Sequence, residues 1–340
     1  MPRWTTSEDR TNAVSSTLQP IPVSLGAYHD KHTLSIVGAH TTLITVAQQD
    51  APSTLISQAR LHRGSTDLIN LPGQDLFLLL ALIGGRSPTQ VNTLADAGAF
   101  ATEWPVDFTA GELEVSAKSP GFFLDTTDGL PVHWTFSTTT AALGLGTSAT
   151  ALQGSPVIRI DQSVTDPEIP AGSGVYEPFW TNFRADTITQ ALNAATVRLP
   201  RNFLLRGLLL RVNDSSAGVN VQRVDGLLRR AVVKANNVTL ADRRFKAMRE
   251  SYRQAAGLAA ETPASTLAQV YDGIGWIDLS TAAHPYGLRN IGSDVELLLE
   301  LDTSTGVDND VTAVTAAAGD SVSVTCMGYR PSAAMQRSAR

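Results

Sequence analysis

Four kinds of side chain in this sequence could do chemistry, and each sets its own test. Three histidines, His29, His32 and His40, crowd the run YHDKHTLSIVGAH, with Asp30 between the first two. Imidazole and carboxylate together can hold a divalent ion. An i, i+3 pair converges on one helix face, however, and this run reads as loop and strand with no third ligand. Solvated loop histidines are the expectation, with no metal. Carboxylates come close in sequence at Asp107, Glu112 and Glu114, and again at Asp272 and Asp278. Glycan hydrolysis would need two of them to converge in a cleft beside aromatic platforms. Trp104, Trp134 and Trp276 are candidate platforms, although core packing is the stronger reading of each. Gly172-Ser173-Gly174 lacks the spacing of a nucleophile elbow, and no glycine-rich loop leads into a lysine, so acyl-transfer and P-loop chemistry are excluded. The reading is a protein without catalysis or cofactor.

The fourth kind is arginine. The stretch from Arg184 to Arg253 carries 14 of the 26 basic residues against five acids, a local balance of +9 in a chain of net −6. The remainder therefore sums to −15, which suggests two differently charged faces. Arg outnumbers Lys 22 to 4, which favours bidentate contact with carboxylate or phosphate. Arg229, Arg230, Arg243 and Arg244 are the candidate basic patch, facing a neighbouring subunit or inward. The plainer alternative pairs these arginines with acids of adjoining strands. The single cysteine, Cys326, excludes a disulfide framework and a cysteine-rich zinc site. The polar N-terminus has no apolar signal region, and the longest apolar run, Leu76–Ile83, is far shorter than a membrane span. A soluble protein made in a reducing cytoplasm is expected, with Met1–Gln19 and Pro331–Arg340 as flexible arms.

The elements that must position these residues read mostly as short strands. Thr41–Val46, Val132–Ser137, Val157–Asp161, Phe203–Val212, Leu227–Lys234, Val295–Asp302 and Ser321–Cys326 are rich in β-branched residues, and several alternate with period two. Turn-rich stretches such as Asp166–Gly174 and Gly306–Asp310 separate them. One segment reads as a helix: Asp242 as N-cap, strong helix formers over Arg243–Ala256, and Gly257 as the stop. Gln90–Ala99 is a weaker helical candidate. Many strands and few helices predict an all-β sandwich or barrel.

Landmarks recur in order along the chain. Leu71-Pro72 before an apolar run is echoed by Leu199-Pro200, 128 residues later. Trp134 is echoed by Trp276 at 142, Gly144-Leu145 by Gly287-Leu288 at 143, and Ile158–Asp161 by Leu299–Asp302 at 141. The growth in offset, about 14 residues, is what one helical insertion in the second copy would add. A repeat of that length fits a duplicated domain rather than a solenoid unit. The boundary then falls in Pro167–Asp186, near Tyr176, Phe179, Trp180 and Phe183. The expected division is an N-terminal arm over 1–32, domains over 33–180 and 181–330, and a tail over 331–340.

Two tandem β-domains, the second with a helical insertion, resemble the double jelly-roll major capsid proteins of tailless icosahedral bacteriophages with internal membranes. The resemblance rests on Leu71–Leu82 and Leu199–Val212, both read as an apolar strand after Leu-Pro, with Val232–Leu240 and Trp276–Asp302. It is clearest over 184–330. It implies an all-β fold of two tandem jelly rolls and a homotrimer with a pseudo-hexagonal footprint. It also implies terminal arms that contact neighbours, and a place in the virion after assembly from the host cytoplasm. The partners it implies are further copies, other virion proteins such as a vertex protein, and an internal membrane or genome reached through the basic face and termini. A different class of reading is a carbohydrate-binding or glycan-degrading β-sandwich, such as a phage receptor-binding module. A single-barrel coat protein with an unrelated N-terminal domain applies if the repeat is chance.

Overall fold

A computed structural model describes residues 10–13, 20–44, 46–47, 50–84, 88–109, 121–139, 144–147, 151–165, 174–185, 194–201, 203–214, 222–223, 227–255, 273–280, 287–290, 294–301 and 320–332. The chain divides into two compact units, one of residues 1–181 with 329–340 and one of residues 182–328.

The first unit runs β1 (Arg10–Ala13), β2 (Ile21–Pro22), β3 (Tyr28–Ala39), β4 (Val46–Ala47), β5 (Ile56–Arg63) and β6 (Thr66–Leu71). Helix α1 (Gly73–Gly84) follows, then β7 (Gln90–Asn92), β8 (Ala99–Asp107), β9 (Gly121–Phe122), β10 (Leu124–Asp125) and β11 (Val132–Thr138). The series closes with β12 (Gly146–Thr147), β13 (Val157–Thr165) and β14 (Val175–Ala185), whose last residues enter the second unit. One sheet has the order β1-β13-β3-β8-β7, and the other β14-β6-β5-β11-β2. Eight strands in chain order, β1, β2, β3, β5, β6, β8, β11 and β13, thus place first beside eighth and second beside seventh, the pairing of a jelly roll. Their inward rows are apolar: Leu34, Ile36, Phe100, Trp104, Ile158 and Ile160 from one sheet, Leu61, Ile69, Trp134 and Phe136 from the other, none more than 2% exposed.

The second unit runs β15 (Ala194–Arg198), β16 (Phe203–Asp214), β17 (Gln222–Arg223), β18 (Leu228–Ala235) and β19 (Val238–Arg244). Helix α2 (Phe245–Ala255), β20 (Ile274–Asp278), β21 (Leu288–Asn290), β22 (Val295–Leu301) and β23 (Ser321–Pro331) complete it, the end of β23 returning to the first unit. Its four-stranded sheet has the order β15-β22-β18-β19, matching β1-β13-β3-β8 position for position. In the other sheet β20 pairs with β16 as β11 pairs with β2, so Trp276 lies opposite Leu209 and Trp134 opposite Ile21. The echoes of Trp134 by Trp276 and of Ile158 by Leu299 therefore mark equivalent places, whereas Gly144-Leu145 leads into β12, paired with β4, and Gly287-Leu288 into β21, paired with β16.

The Leu-Pro echo fails as well. Leu71-Pro72 leads into α1 and Leu199-Pro200 into β16. QDLFLLLALI is apolar on every side, so hydrophobicity cannot separate a buried helix from a buried strand; Leu and Ala at nearly every place favour the helix. Gly73 starts it because a Cβ there would strike the Ser53 carbonyl and Ile56. The difference in length also lies elsewhere than expected. Ile36 and Ala231, which face Ile158 and Leu299, are 195 residues apart, whereas Thr102 and Arg243, their partners on the next strand, are 141 apart. The first roll holds 54 more residues between β3 and β8, enough for β5, β6 and α1. In the second, Asn236 and Asn237, both at positive φ, turn β18 directly into β19.

Further expectations are corrected locally. The helix begins at Phe245, and Asp242 sits on β19 instead of capping it, because the strand hydrogen bonds to β18 continue to Arg244. Gln90–Ala99 is β7 followed by a turn, since β7 pairs with β8. Thr41–Ile44 is a bend held by His40 and Asp96, leaving only Val46–Ala47 as strand. Residues 1–32 are not an arm throughout: β1 pairs with β13, β2 with β11, and β3 begins at Tyr28. Tyr176, Phe179, Trp180 and Phe183 lie on β14 rather than in a linker. The turn-rich stretch 306–310 and residues 333–340 fall outside the described residues.

Candidate functional site

The basic patch is built on the β18–β19 hairpin. The antiparallel register sets Arg230 beside Arg244 on one strand side and Glu300 on the other, all on the outer face. Arg243 lies opposite Ala231, on the inward face at the sheet edge, and Arg229 sits at a bulge between Leu228 and Arg230. The structure therefore brings Arg230 and Arg244 together and turns Arg243 away. Arg230 forms a bidentate pair with Asp242 and a further bond of 3.4 Å to Glu300. The hydrogen bonds from Arg230 hold the Asp242 carboxyl below its ordinary range, and the same contacts push the guanidinium up. For Arg230 this is the plainer alternative, pairing with acids of adjoining strands; the partner Asp242 was hidden because it reads as a helix cap.

Much of the basic stretch is spent in the same way. Arg201 pairs with Asp294, Arg206 with Asp278 and Arg198 with Glu296, while Arg211 and Arg223 are buried. Arg243 and Arg244 are exposed and make no ion pair among the described residues. Four of the fourteen basic residues of the +9 stretch, Arg198, Arg201, Arg206 and Arg230, thus pair with acids distant in sequence.

The histidines are not solvated. His29 and His32 are both fully buried on β3. The Trp134 indole N–H donates to His32 Nδ1 at 3.0 Å, which leaves the His32 proton on Nε2 to donate to His29 Nδ1 at 3.1 Å. His29 Nε2 then donates to the Ser24 carbonyl at 3.0 Å. Burial, followed by the neighbouring His29, holds the His32 pKa well below the ordinary imidazole value, so His32 enters the chain as a neutral ring. It crosses from β11 to β3 and fixes both sheets of the first roll at one depth. His40 is buried too, with its ring nitrogens 2.7 Å from the Thr42 carbonyl and 2.6 Å from the Thr93 carbonyl. From His32 to Ile36 burial alternates residue by residue, a period-two signal available in the sequence, whereas His29, three residues before His32, lies out of that phase beside a register shift in the pairing with β13.

A second buried polar cluster went unseen. Arg63 on β5 donates to both oxygens of Glu177 on β14, at 2.7 and 3.0 Å, and to the Asp125 carbonyl. Arg330 adds a bond of 3.1 Å to Glu177. Burial raises the Glu177 pKa while Arg63 and Arg330 pull it down. Partners 114 and 153 residues apart leave no mark in sequence spacing.

The carboxylates do not converge. Asp107 accepts from the Thr109 backbone and hydroxyl, and Asp278 pairs with Arg206; Glu112, Glu114 and Asp272 fall outside the described residues. Trp104, Trp134 and Trp276 are buried, the last 7% exposed, so none forms an exposed platform. Among the described residues no three His, Cys, Asp or Glu side chains are grouped to hold a metal, and no helix is long and apolar enough to cross a membrane. The Cys326 thiol is fully buried, and burial pushes its pKa up.

No protein-family model matches the sequence, and no curated protein matches it. Solved structures do. The major capsid protein of STIV, Sulfolobus turreted icosahedral virus, superposes with a TM-score of 0.66 at 14% identity, covering 99% of each chain. Protein VP54 of PBCV-1, fitted into a reconstruction of the virophage Sputnik, gives 0.59 at 12% identity over 98% of this chain and 97% of that one. At such identity the likeness is one of fold. The chain has the double jelly-roll fold of these capsid proteins from end to end, its second roll carrying the helix α2 between β19 and β20.

Proposed function

We propose that the chain is the major coat subunit of an icosahedral viral shell, acting as a homotrimer that tiles with further trimers. The observation that carries this reading is the match over 99% of both chains, two rolls in tandem, to a protein whose name is a capsid protein. Two fused rolls give a trimer six similar bodies, so that one chain fills hexagonal positions. Charges consumed in cross-strand pairs leave a polar, lightly charged surface, suited to many modest contacts. Within this reading the exposed Arg243 and Arg244 remain to meet a neighbouring subunit, a vertex protein, genome or membrane. The subunit has no catalytic step, and its working location is the virion, reached from the host cytoplasm.

The glycan reading loses its support in the burial of Trp104, Trp134 and Trp276. Light scattering on the purified full chain, with negative-stain imaging, tests the proposal. A particle of three chain masses, and closed shells on concentration or with the other virion components, are expected. A persistent monomer whose tryptophan fluorescence responds to oligosaccharide would overturn it.

A further inference from the structure

The outer face of the first roll carries a pair of histidines outside the buried chain. His62 on β5 and His133 on β11 are direct cross-strand partners, one step along from Leu61 and Trp134, which face inward. Successive residues of a strand point to opposite faces, so both imidazoles stand outward, and both are half-buried. Their rings are stacked, with centroids 5.7 Å apart and planes 27° from parallel. Two imidazoles that share one ion, each nitrogen about 2.0–2.1 Å from it, have ring centres on the order of 5 Å apart. The observed spacing is close to that of a chelating pair.

The tautomer of His62 is set as well. Its Nδ1 lies 3.0 Å from the Gly64 carbonyl, which can only accept, so the ring proton of the neutral form sits on Nδ1. Nε2 keeps its lone pair. A ligating imidazole ordinarily donates its other N–H in this way, to a carbonyl or a carboxylate. The carbonyl belongs to the turn between β5 and β6, where Gly64 has a φ of 55°. His133 has no hydrogen-bond partner among the described residues. Burial, followed by the facing His62, lowers its pKa, so it offers a neutral ring at pH 7.

The flanking groups neither block the pair nor extend it. Asp67, opposite His62 on β6, accepts from Arg60 at 2.6 Å and from Asn70 at 3.0 Å, so it is no third ligand. Arg60 matches its charge. Pro22, opposite His133 on β2, brings no charge.

We propose that His62 and His133 form a surface site for a divalent transition-metal ion, held by both imidazoles and completed by water. The site goes beyond the coat-subunit reading and does not depend on it. Imidazole favours Cu²⁺, Ni²⁺ and Zn²⁺ over Mg²⁺, which seeks oxygen. The bound ion clips β5 to β11 from outside, opposite the inward row that Leu61 and Trp134 fill.

The test is titration of the full chain, stripped with a chelator, with Cu²⁺, Ni²⁺, Zn²⁺ and Mg²⁺ at pH 7.5. One ion per chain is expected, Cu²⁺ the tightest and Mg²⁺ not bound. His62→Gln and His133→Gln should each weaken binding at least about tenfold, since losing a ligand costs no less than losing its supporting hydrogen bond. The double variant should fall little further, because one imidazole alone does not chelate. Paramagnetic resonance of bound Cu²⁺ should show two nitrogen ligands in the parent and one in either single variant. Both positions face outward, so metal-free thermal midpoints should match the parent; His62→Asn or His133→Asn replaces any variant whose midpoint falls. Equal affinity in parent and single variants overturns the site, as does a single nitrogen in the parent or Mg²⁺ bound as tightly as Zn²⁺.

Discussion

The two rolls share one four-stranded sheet order and fill their interiors differently. The first has the full complement of eight strands, and buries ionisable groups among them: the Trp134–His32–His29 chain and the Arg63–Glu177–Arg330 cluster. The second omits the hairpin between β18 and β19, and uses α2 beside β20, where the first has β5 beside β11. Phe245, Met248 and Tyr252 form a buried stripe along that helix, and a Cβ on Gly275 of β20 would strike Met248 and Phe245. A roll can thus be closed by strands or by a helix, provided an apolar surface covers the same place. The second roll buries polar groups as well, among them Arg211 donating to Asn213 and Asn213 to Ser321, but ties them within strands and to β23 instead of through a histidine chain.

The largest effect should come from the buried cluster. Arg63→Ala leaves Glu177 without its bidentate partner, and a buried charge stripped of its mate costs about 3–5 kcal/mol. Arg330 holds one oxygen still, which favours the lower end. Urea unfolding followed at two probes, one in each unit, should show the first-unit transition moving to lower denaturant. Equal movement of both would contradict the division into two units. Arg63→Met with Glu177→Leu should recover most of the loss, because an apolar pair of similar volume removes the uncompensated charge along with the bond.

Next come two glycines that serve the same purpose in different rolls. A Cβ on Gly38 of β3 would enter the Phe100 ring, and one on Gly207 of β16 would enter the Trp276 ring. Each aromatic ring lies flat over a neighbouring strand, and glycine is the residue that leaves room. Gly207→Ala should cost about 1–3 kcal/mol by overpacking, with a changed Trp276 near-ultraviolet signal. Gly38→Ala should cost less, since Phe100 sits in a small cluster with Ile44, Leu55 and Leu145 that can yield. Thermal midpoints of the two variants, compared with the parent, check the order.

What could be seen in the sequence follows from this comparison. Strands of β22 and β13 announce themselves because one side of each is wet, and VELLLEL and VIRID alternate accordingly. The landmarks that matched correctly, Trp134 with Trp276 and Ile158 with Leu299, lie on strands facing the same buried layer in both rolls. The Leu-Pro echo failed where both segments are buried nearly all round, and period vanishes. Asp242 was misread because a helix cap and a strand-end acid look alike until the partner strand is known. The buried histidines were misread for a similar reason: a hydrogen bond from Trp134, 102 residues away, is what makes their burial tolerable. Contacts of that range are fixed by topology, and topology was legible only as far as strand count and duplication.

The histidine chain gives the first roll a pH response that the second lacks among its described residues. His32 binds a proton less readily folded than unfolded, where the ordinary value is about 6.5. Its contribution is therefore complete above that value and is lost as pH falls below it, by up to about 1.4 kcal/mol per unit until the lowered folded pKa is reached. Unfolding free energy measured between pH 7.5 and 5 should decline in the first unit. His32→Gln should flatten that decline while lowering stability at pH 7.5, because the Trp134 N–H loses its acceptor. A decline unchanged in His32→Gln would assign it to other groups.

The smallest effect belongs to the second roll's outer face. Arg230 is held by Asp242 and Glu300 yet remains 40% exposed, so water competes with both acids and salt screens the pairs. Arg230→Ala should leave the unfolding midpoint of the isolated chain unresolved from the parent at physiological ionic strength. Its consequence appears in charge: removing Arg230 frees Asp242 and Glu300, and leaves two uncompensated acids beside Arg244. Arg244 then has an acid of its own face to turn to, and association of the chain should weaken and become more sensitive to salt. A fall in midpoint as large as that of Arg63→Ala would mean that the outer pair is shielded from solvent as thoroughly as the inner one, and the contrast between the two rolls would fail.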